Sequence, residues 1–184
     1  MAFLSCRRRS SAFVWSGLIA AMSVQATGAE PASLEDAVKA AYVYKFAPFV
    51  TWPAPVAPGA PFVICTLGSD RVSALLPQVA EGQRVDDHPI HVRQVAENEP
   101  ADGCRILYVA DEMQAAGDLD GVRGKPILTI TSEDGPAGVI HLSTAARHVV
   151  FDIDAKLAAQ DGLQISSKLL GLARKVNRAS GAPP

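Results

Sequence analysis

An excess of acidic over basic residues limits what this chain of 184 residues is expected to bind. The formal net charge is −2, and removal of the first 29 residues, which hold three of the 17 basic residues and none of the 19 acidic ones, changes it to 14 − 19 = −5. Such a charge argues against a protein that binds nucleic acid or an anionic membrane surface. The 184 − 29 = 155 residues that remain are enough for one domain with a hydrophobic core.

The first 29 residues have the pattern of a secretory signal. Three consecutive arginines at residues 7–9 precede an apolar stretch, residues 11–24, that is too short to span a bilayer. Small residues follow and predict cleavage after Ala29, with Ala26 as a second candidate. A retained membrane anchor is the alternative. We therefore expect an exported protein with residues 1–29 as its signal peptide.

The segment that follows the signal, residues 34–53, is the richest in aromatic side chains. Ser33 can cap a helix there, and Pro48 and the Trp52-Pro53 pair are expected to end it. Large apolar side chains recur at three- and four-residue steps, so they share one helix face. They are Leu34, Val38, Ala41, Tyr42, Phe46 and Phe49. Two interpretations stand: the helix is the main packing element of a small domain, or part of its aromatic face is a docking surface.

Strands alternate with helices along the rest of the chain, and a pair of antiparallel strands follows. Strands are expected over residues 62–67, 90–95, 104–110, 125–132, 139–143 and 149–153. Helices are expected over residues 72–79, 111–121, 155–160 and 166–177. This pattern predicts an α/β fold: a single compact three-layer domain, residues 30–178, with a mixed β-sheet flanked by helices. Residues 179–184 are expected to form a disordered tail.

Two cysteines, Cys65 and Cys104, lie beyond the signal. An even number of cysteines in an exported chain suggests one disulfide. Cys65 lies inside the first predicted strand of this region and Cys104 opens the third, so a sheet in which these strands are parallel neighbours brings the two within bridging distance. Two buried free thiols are the alternative.

No arrangement of residues in the sequence points to catalysis, a metal or a cofactor. Two histidines and two aspartates lie within residues 86–91, but residues three apart on a strand point to opposite faces and do not readily share one ion. The turn at residues 68–70 lacks the glycine spacing of a dinucleotide site, and residues 166–168 lack the spacing of a Ser-x-x-Lys nucleophile. We therefore expect a protein that is not an enzyme.

Two longer stretches resemble the two ends of the YfiR family. They are AAYVYKFAPFVTWP after the signal and VVFDIDAKLAAQDGLQISSKLLGLARKV near the C-terminus. Between them, FVICTLGSD, CRILYV and PILTITS also fit the family in order and spacing, so the resemblance covers residues 40–176. The chain departs from the family in two ways: Asp154 stands where Asn is usual, and the additional cysteine pair of some members is absent.

The resemblance implies a periplasmic regulator with a compact α/β fold. Members of the family repress an inner-membrane diguanylate cyclase by binding its periplasmic region, and an outer-membrane lipoprotein with an OmpA-like domain can sequester the repressor. Cyclic-di-GMP output and biofilm behaviour are controlled in this way, and members tend to dimerise. The alternative is a periplasmic domain that binds a small ligand in a cleft at the strand ends, and a hydrolase is a third, weaker one.

The partner-binding surface is expected where the two ends of the resemblance carry more apolar side chains than a small domain can bury. Tyr44 lies off the apolar stripe of the first predicted helix. Leu170 lies off the stripe of the last, which is formed by Ile165, Leu169, Leu172, Ala173 and Val176. We therefore predict that Tyr44 and Leu170 are more exposed than their neighbours and contact a second copy or a partner. The alternative is that both are ordinary core residues.

Overall fold

The structure is a computed structural model that describes residues 33–97, 99–110, 117–132 and 138–178. The predicted signal peptide, the predicted C-terminal tail and the start of the helix predicted at residue 111 lie outside the described residues. The helices are α1 (Leu34–Lys45), α2 (Arg71–Ala80), α3 (Gly117–Asp120), α4 (Ala155–Gln160) and α5 (Ser167–Leu172), with a 3₁₀ turn at Ala47–Phe49.

Ten short strands accompany these helices in the described part of the chain. They are β1 (Val50–Thr51), β2 (Phe62–Leu67), β3 (Arg84–Val85), β4 (His88–Val95), β5 (Ile106–Val109), β6 (Leu128–Thr131), β7 (Ile140–Ala145), β8 (His148–Asp154), β9 (Gln164–Ile165) and β10 (Lys175–Asn177). Eight of them form one sheet in the order β10-β8-β7-β6-β5-β2-β4-β3. The β7–β8 and β3–β4 pairs are antiparallel and the other neighbours are parallel. Strands β1 and β9 form a separate antiparallel pair.

The alternation of side chains along the central strands builds two cores on the two faces of this sheet. Phe62 and Ile64 of β2 join the first core, which also contains buried residues of α1, α2, α4 and α5. Cys65 and Leu67 of the same strand join the second core, together with Leu119 of α3. The predicted fold class, a three-layer α/β domain with a mixed sheet, is therefore confirmed.

Helix α1 begins as the sequence predicts. Ser33 Oγ accepts a hydrogen bond from the Asp36 amide at 3.1 Å, and the Asp36 carboxylate accepts one from the Ser33 amide at 3.0 Å, which completes a capping box. The helix ends at Lys45 rather than at Pro48, because residues 47–49 tighten into the 3₁₀ turn. This turn directs the chain into β1, which pairs with β9 near the C-terminus.

The helix predicted for residues 166–177 is wrong in its second half. Helix α5 stops at Leu172, and β10 runs parallel to β8 in the register Lys175↔Asp152. The Arg174 amide donates to the Phe151 carbonyl at 2.9 Å, so pairing with β8 competes with helix propagation. Gly171 favours the same outcome, since glycine weakens the last turn of a helix.

The predicted disulfide is confirmed. Cys65 and Cys104 are bonded, with 5.8 Å between their Cα atoms. Strands β2 and β5 are parallel neighbours, as the prediction required, although β5 itself begins at Ile106. Both cysteines are buried in the second core, so the bond lies away from α1 and α5.

Removing this disulfide by Cys65→Ala together with Cys104→Ala is expected to lower the free energy of unfolding by up to about 4 kcal/mol. The bond joins residues 39 apart, and closing a loop of that length restricts the unfolded chain. Urea unfolding of the protein that begins at residue 30 measures the loss. Thiol labelling of the denatured, unreduced protein is the companion measurement, and two reactive thiols per chain would contradict the bond.

Replacing Arg174 by Gln is expected to remove a pH-dependent part of the stability. The hydrogen bond from Arg174 to Asp152 (2.9 Å between Nε and Oδ1) lowers the pKa of that carboxyl. A lowered folded-state pKa stabilises the fold above the unfolded value of about 3.9, and this stabilisation is lost as the pH falls through the folded value. Because both side chains are partly exposed, the effect at pH 7 is below about 1 kcal/mol.

Urea unfolding of the wild-type protein and Arg174→Gln across a pH series measures this contribution. The difference between the two proteins should shrink on the acid side. A difference that stays constant down to the lowest pH at which both proteins fold would show that Arg174 acts only through packing.

Candidate functional site

The two segments that carry the family resemblance meet on one face of the domain. Tyr42 and Phe46 of α1 stack with 5.6 Å between their ring centroids, and the edge of one ring meets the face of the other where Phe46 contacts Phe151 of β8, at 5.0 Å. Phe46 and Phe151 are buried, whereas Tyr42 is half-buried. These three rings join the N-terminal helix to the edge of the sheet that β8 and β10 form.

An open cleft of about 450 Å³ lies beside the three rings, and we call it the aromatic cleft. Most of its lining is apolar, and two of the lining side chains are cationic. Its residues are Tyr42, Lys45, Phe46, Phe49, Val149, Val150, Phe151, Leu169, Leu172 and Arg174. They come from α1, the 3₁₀ turn, β8 and α5, so the cleft exists only in the folded domain.

Leu172 is the most exposed large apolar side chain at this cleft. Its exposed fraction is 64%, although the predicted helical stripe placed it inside, whereas Leu169 of the same helix is only 2% exposed. Helix α5 is six residues long and ends at Leu172, and Ala173 is already extended. The chain therefore turns before Leu172 can be covered, and the leucine stands at the mouth of the aromatic cleft.

The two residues predicted to contact a partner lie outside the aromatic cleft. Tyr44 and Leu170 are both half-buried and pack against the core on the helix side of the sheet. Neither lines the aromatic cleft, so their role in a contact stays a prediction. In α5 the structure points Leu172, not Leu170, towards solvent. The sequence signal for this was Gly171, which marks the end of a short helix.

The rim of the aromatic cleft is positively charged. Lys45 lies at the exposed end of α1, and the Lys168 ammonium lies 5.7 Å from the centroid of the Phe49 ring, a cation–π distance. Arg174 completes the rim and is hydrogen bonded to Asp152. In a chain with a net negative charge, this apolar cleft thus has three cationic side chains next to it.

The crevice at the carboxyl ends of the parallel strands is less suited to a ligand. Asp70 caps α2 by accepting from the Ser73 amide at 2.6 Å, and it also accepts from the Tyr108 hydroxyl at 2.7 Å. Its carboxylate therefore occupies the helix N-terminus, which is the position that a bound anion would take. Among the described residues, no group of three or more His, Cys, Asp and Glu is placed to hold a metal ion.

A second, smaller cleft of about 350 Å³ lies on the other face of the sheet, next to β7, β8 and β10. Asp152 and Asp154 line it, but their oxygens already accept hydrogen bonds from Arg174, the Leu157 amide and Asn177. Its carboxylates are committed within the domain, so the aromatic cleft is the stronger candidate.

Exchanging two leucines of α5 for aspartate distinguishes an exposed position from a position against the core. Leu172→Asp is expected to change the free energy of unfolding by about 0.5 kcal/mol or less, as is usual for exposed positions. Leu170→Asp places a carboxylate against the core and is expected to cost about 2–5 kcal/mol. Thermal unfolding of both variants measures this. A large loss for Leu172→Asp would contradict the exposed position of that side chain.

Comparison with known proteins supports the sequence resemblance. No helix in the described part of the chain is long and apolar enough to cross a membrane. A search of curated proteins found no match. The sequence profile of the family described as YfiR/HmsC-like matches residues 36–174, which is more than half of the chain and includes every residue that lines the aromatic cleft. The chain therefore belongs to the YfiR/HmsC-like family.

Proposed function

We propose that this protein represses an inner-membrane diguanylate cyclase by binding the cyclase's periplasmic region at the aromatic cleft. Membership of the YfiR/HmsC-like family supports a periplasmic regulatory protein of this general type. The cyclase, the control of cyclic-di-GMP and the binding surface are the proposal. The observation that carries it is an open apolar cleft, with Leu172 at its mouth, where the two segments typical of the family meet.

The energetics favour a protein contact at this place. An isolated exposed leucine is common on protein surfaces and requires no explanation. Leu172, however, lies beside the half-buried Tyr42 and Phe49, so one partner side chain could cover all three. A well-buried anchor of this kind typically contributes about 2 kcal/mol or more to binding. Repression by contact also requires no chemical step, in keeping with a regulatory family.

The other proposed partners compete for the same kind of surface. An outer-membrane lipoprotein with an OmpA-like domain would sequester the protein by covering the aromatic cleft or the region around Leu170. A homodimer that forms through this face would also prevent the cyclase from binding, because both contacts would cover the same residues. Tyr44 and Leu170 stay proposed contact residues, and because both pack against the core, substitutions there are expected to lower stability as well.

In a cell that expresses the cognate cyclase, deletion of the gene is expected to raise cyclic-di-GMP, and Leu172→Asp is expected to do the same. The substitution puts a charge at the mouth of the aromatic cleft and should leave the fold intact. Leu34→Asp is the matched control, because Leu34 is 83% exposed and does not line the cleft. Cyclic-di-GMP is measured together with the periplasmic level of each variant.

Three outcomes are informative. High cyclic-di-GMP for Leu172→Asp at a normal protein level, with repression kept by Leu34→Asp, supports the proposal. Full repression by Leu172→Asp would remove the aromatic cleft from the mechanism. Unchanged cyclic-di-GMP after gene deletion, with the cyclase confirmed as expressed, would contradict repression itself and favour the small-ligand alternative.

A further inference from the structure

We propose that the aromatic cleft also binds a single-chain anionic amphiphile, a carboxylate with a medium-length acyl chain. The acyl chain would occupy the apolar lining, and the carboxylate would lie at the rim near Lys45 and Lys168. This is a ligand site in addition to the protein contact proposed above. Its three supports are the volume, the lining and the charge of the cleft.

The volume and lining suit an acyl chain. Small-molecule sites usually measure about 300–1,000 Å³ and are mainly apolar with a few polar groups at defined places. The aromatic cleft has about 450 Å³, and its walls are aromatic and aliphatic side chains of α1, β8 and α5. Two of the ten lining side chains are charged, Lys45 and Arg174. An apolar body with a single polar end matches this distribution.

The charge at the rim selects an anionic head group. Lys45 is exposed and forms no ion pair with a described residue, so its charge is available to a ligand. The Lys168 ammonium lies over the face of Phe49, so its charge is held where the apolar wall meets solvent. Arg174 is paired with Asp152, whose negative charge offsets its own, so a head group would depend on the two lysines.

The shape of the site favours a single molecule over a lipid bilayer. A protein that lies on a membrane presents a broad apolar face, with basic residues around it, to anionic lipid. Here the apolar surface is concave, and Leu172 is the only exposed large apolar side chain of the described residues that lines it. The negative net charge further opposes binding to an anionic bilayer. The shape and charge of the site therefore favour a monomeric amphiphile as the ligand.

Such a ligand would cover Leu172 and Phe49 and so displace a partner from the aromatic cleft. Acyl-chain carboxylates released when the envelope is damaged would then relieve repression of the cyclase. Envelope damage would in this way raise cyclic-di-GMP. This consequence rests on the proposed function, whereas the binding itself does not. Binding is therefore tested on the purified protein without any cyclase.

Titration of the ¹⁵N-labelled protein with octanoate, nonanoate and decanoate, each kept monomeric, is the direct test. Each added methylene should tighten binding about fourfold until the cleft is full, because each buries a similar apolar area. Shifts should concentrate on amides of residues 42–49, 149–151 and 168–174. Decanol and decyltrimethylammonium should bind about fivefold or more weakly than decanoate, since neither pairs with the lysines.

Variants test the head-group contact without disturbing the core. Lys45→Met with Lys168→Met should weaken decanoate about fivefold and leave decanol unchanged. Lys175→Met is the matched control, because Lys175 is an exposed lysine of β10 that lines the other cleft, and it should bind decanoate like the wild-type protein.

Several results would overturn the inference: affinity independent of chain length, equal affinity for decanoate and decyltrimethylammonium, or shifts centred on the cleft next to Lys175. Binding to phosphatidylglycerol vesicles without binding to monomeric decanoate would also overturn it and point to a membrane surface. None of these results changes the expected effect of Leu172→Asp on cyclic-di-GMP, so the two proposals can fail separately.

Discussion

The contact between Phe46 of α1 and Phe151 of β8 is the interaction on which the arrangement of this protein depends. The two rings lie 5.0 Å apart and are separated by about a hundred residues of chain, so the contact joins the beginning of the domain to its end. Tyr42 adds a stacked ring on one side. The aromatic cleft opens beside these rings, so the contact positions α1 against β8 at the place where the cleft forms.

The sheet reinforces this contact from its edge. Strand β8 pairs with β7 on one side and with the short β10 on the other, and the bidentate hydrogen bonds from Arg174 to Asp152 hold β10 in place. Because β10 covers β8 only from Asp152 onwards, the first half of β8 is left beside α5, and there the cleft forms. The disulfide stabilises the opposite face of the sheet, so it contributes to the rigidity of the domain without contacting the cleft.

Much of this fold could be predicted from sequence because local signals were strong. The apolar run of β2 predicted a strand, Ser33 predicted a helix cap and the pair of cysteines predicted a disulfide, and all three are confirmed. The elements that escaped prediction depend on contacts between distant residues. Strand β10 forms because β8 offers an unpaired edge. The exposure of the leucines at the site was difficult to predict for the same reason. Helix α5 ends earlier than predicted, which exposes Leu172 and leaves Leu170 against the core. The antiparallel pair of β7 and β8, in contrast, was predicted and is confirmed, although its turn has Ala146 and Arg147 at positive φ without the usual glycine or asparagine.

The proposed repression depends on an apolar contact at the aromatic cleft that holds the periplasmic region of the cyclase. Its most direct test is calorimetric titration of the purified protein with the isolated periplasmic region of the cognate cyclase. Leu172→Asp should weaken this binding by about thirtyfold, as expected for the loss of about 2 kcal/mol at an anchor, while Leu34→Asp should bind like the wild-type protein. Equal affinities for Leu172→Asp and the wild-type protein, with both folded, would contradict it.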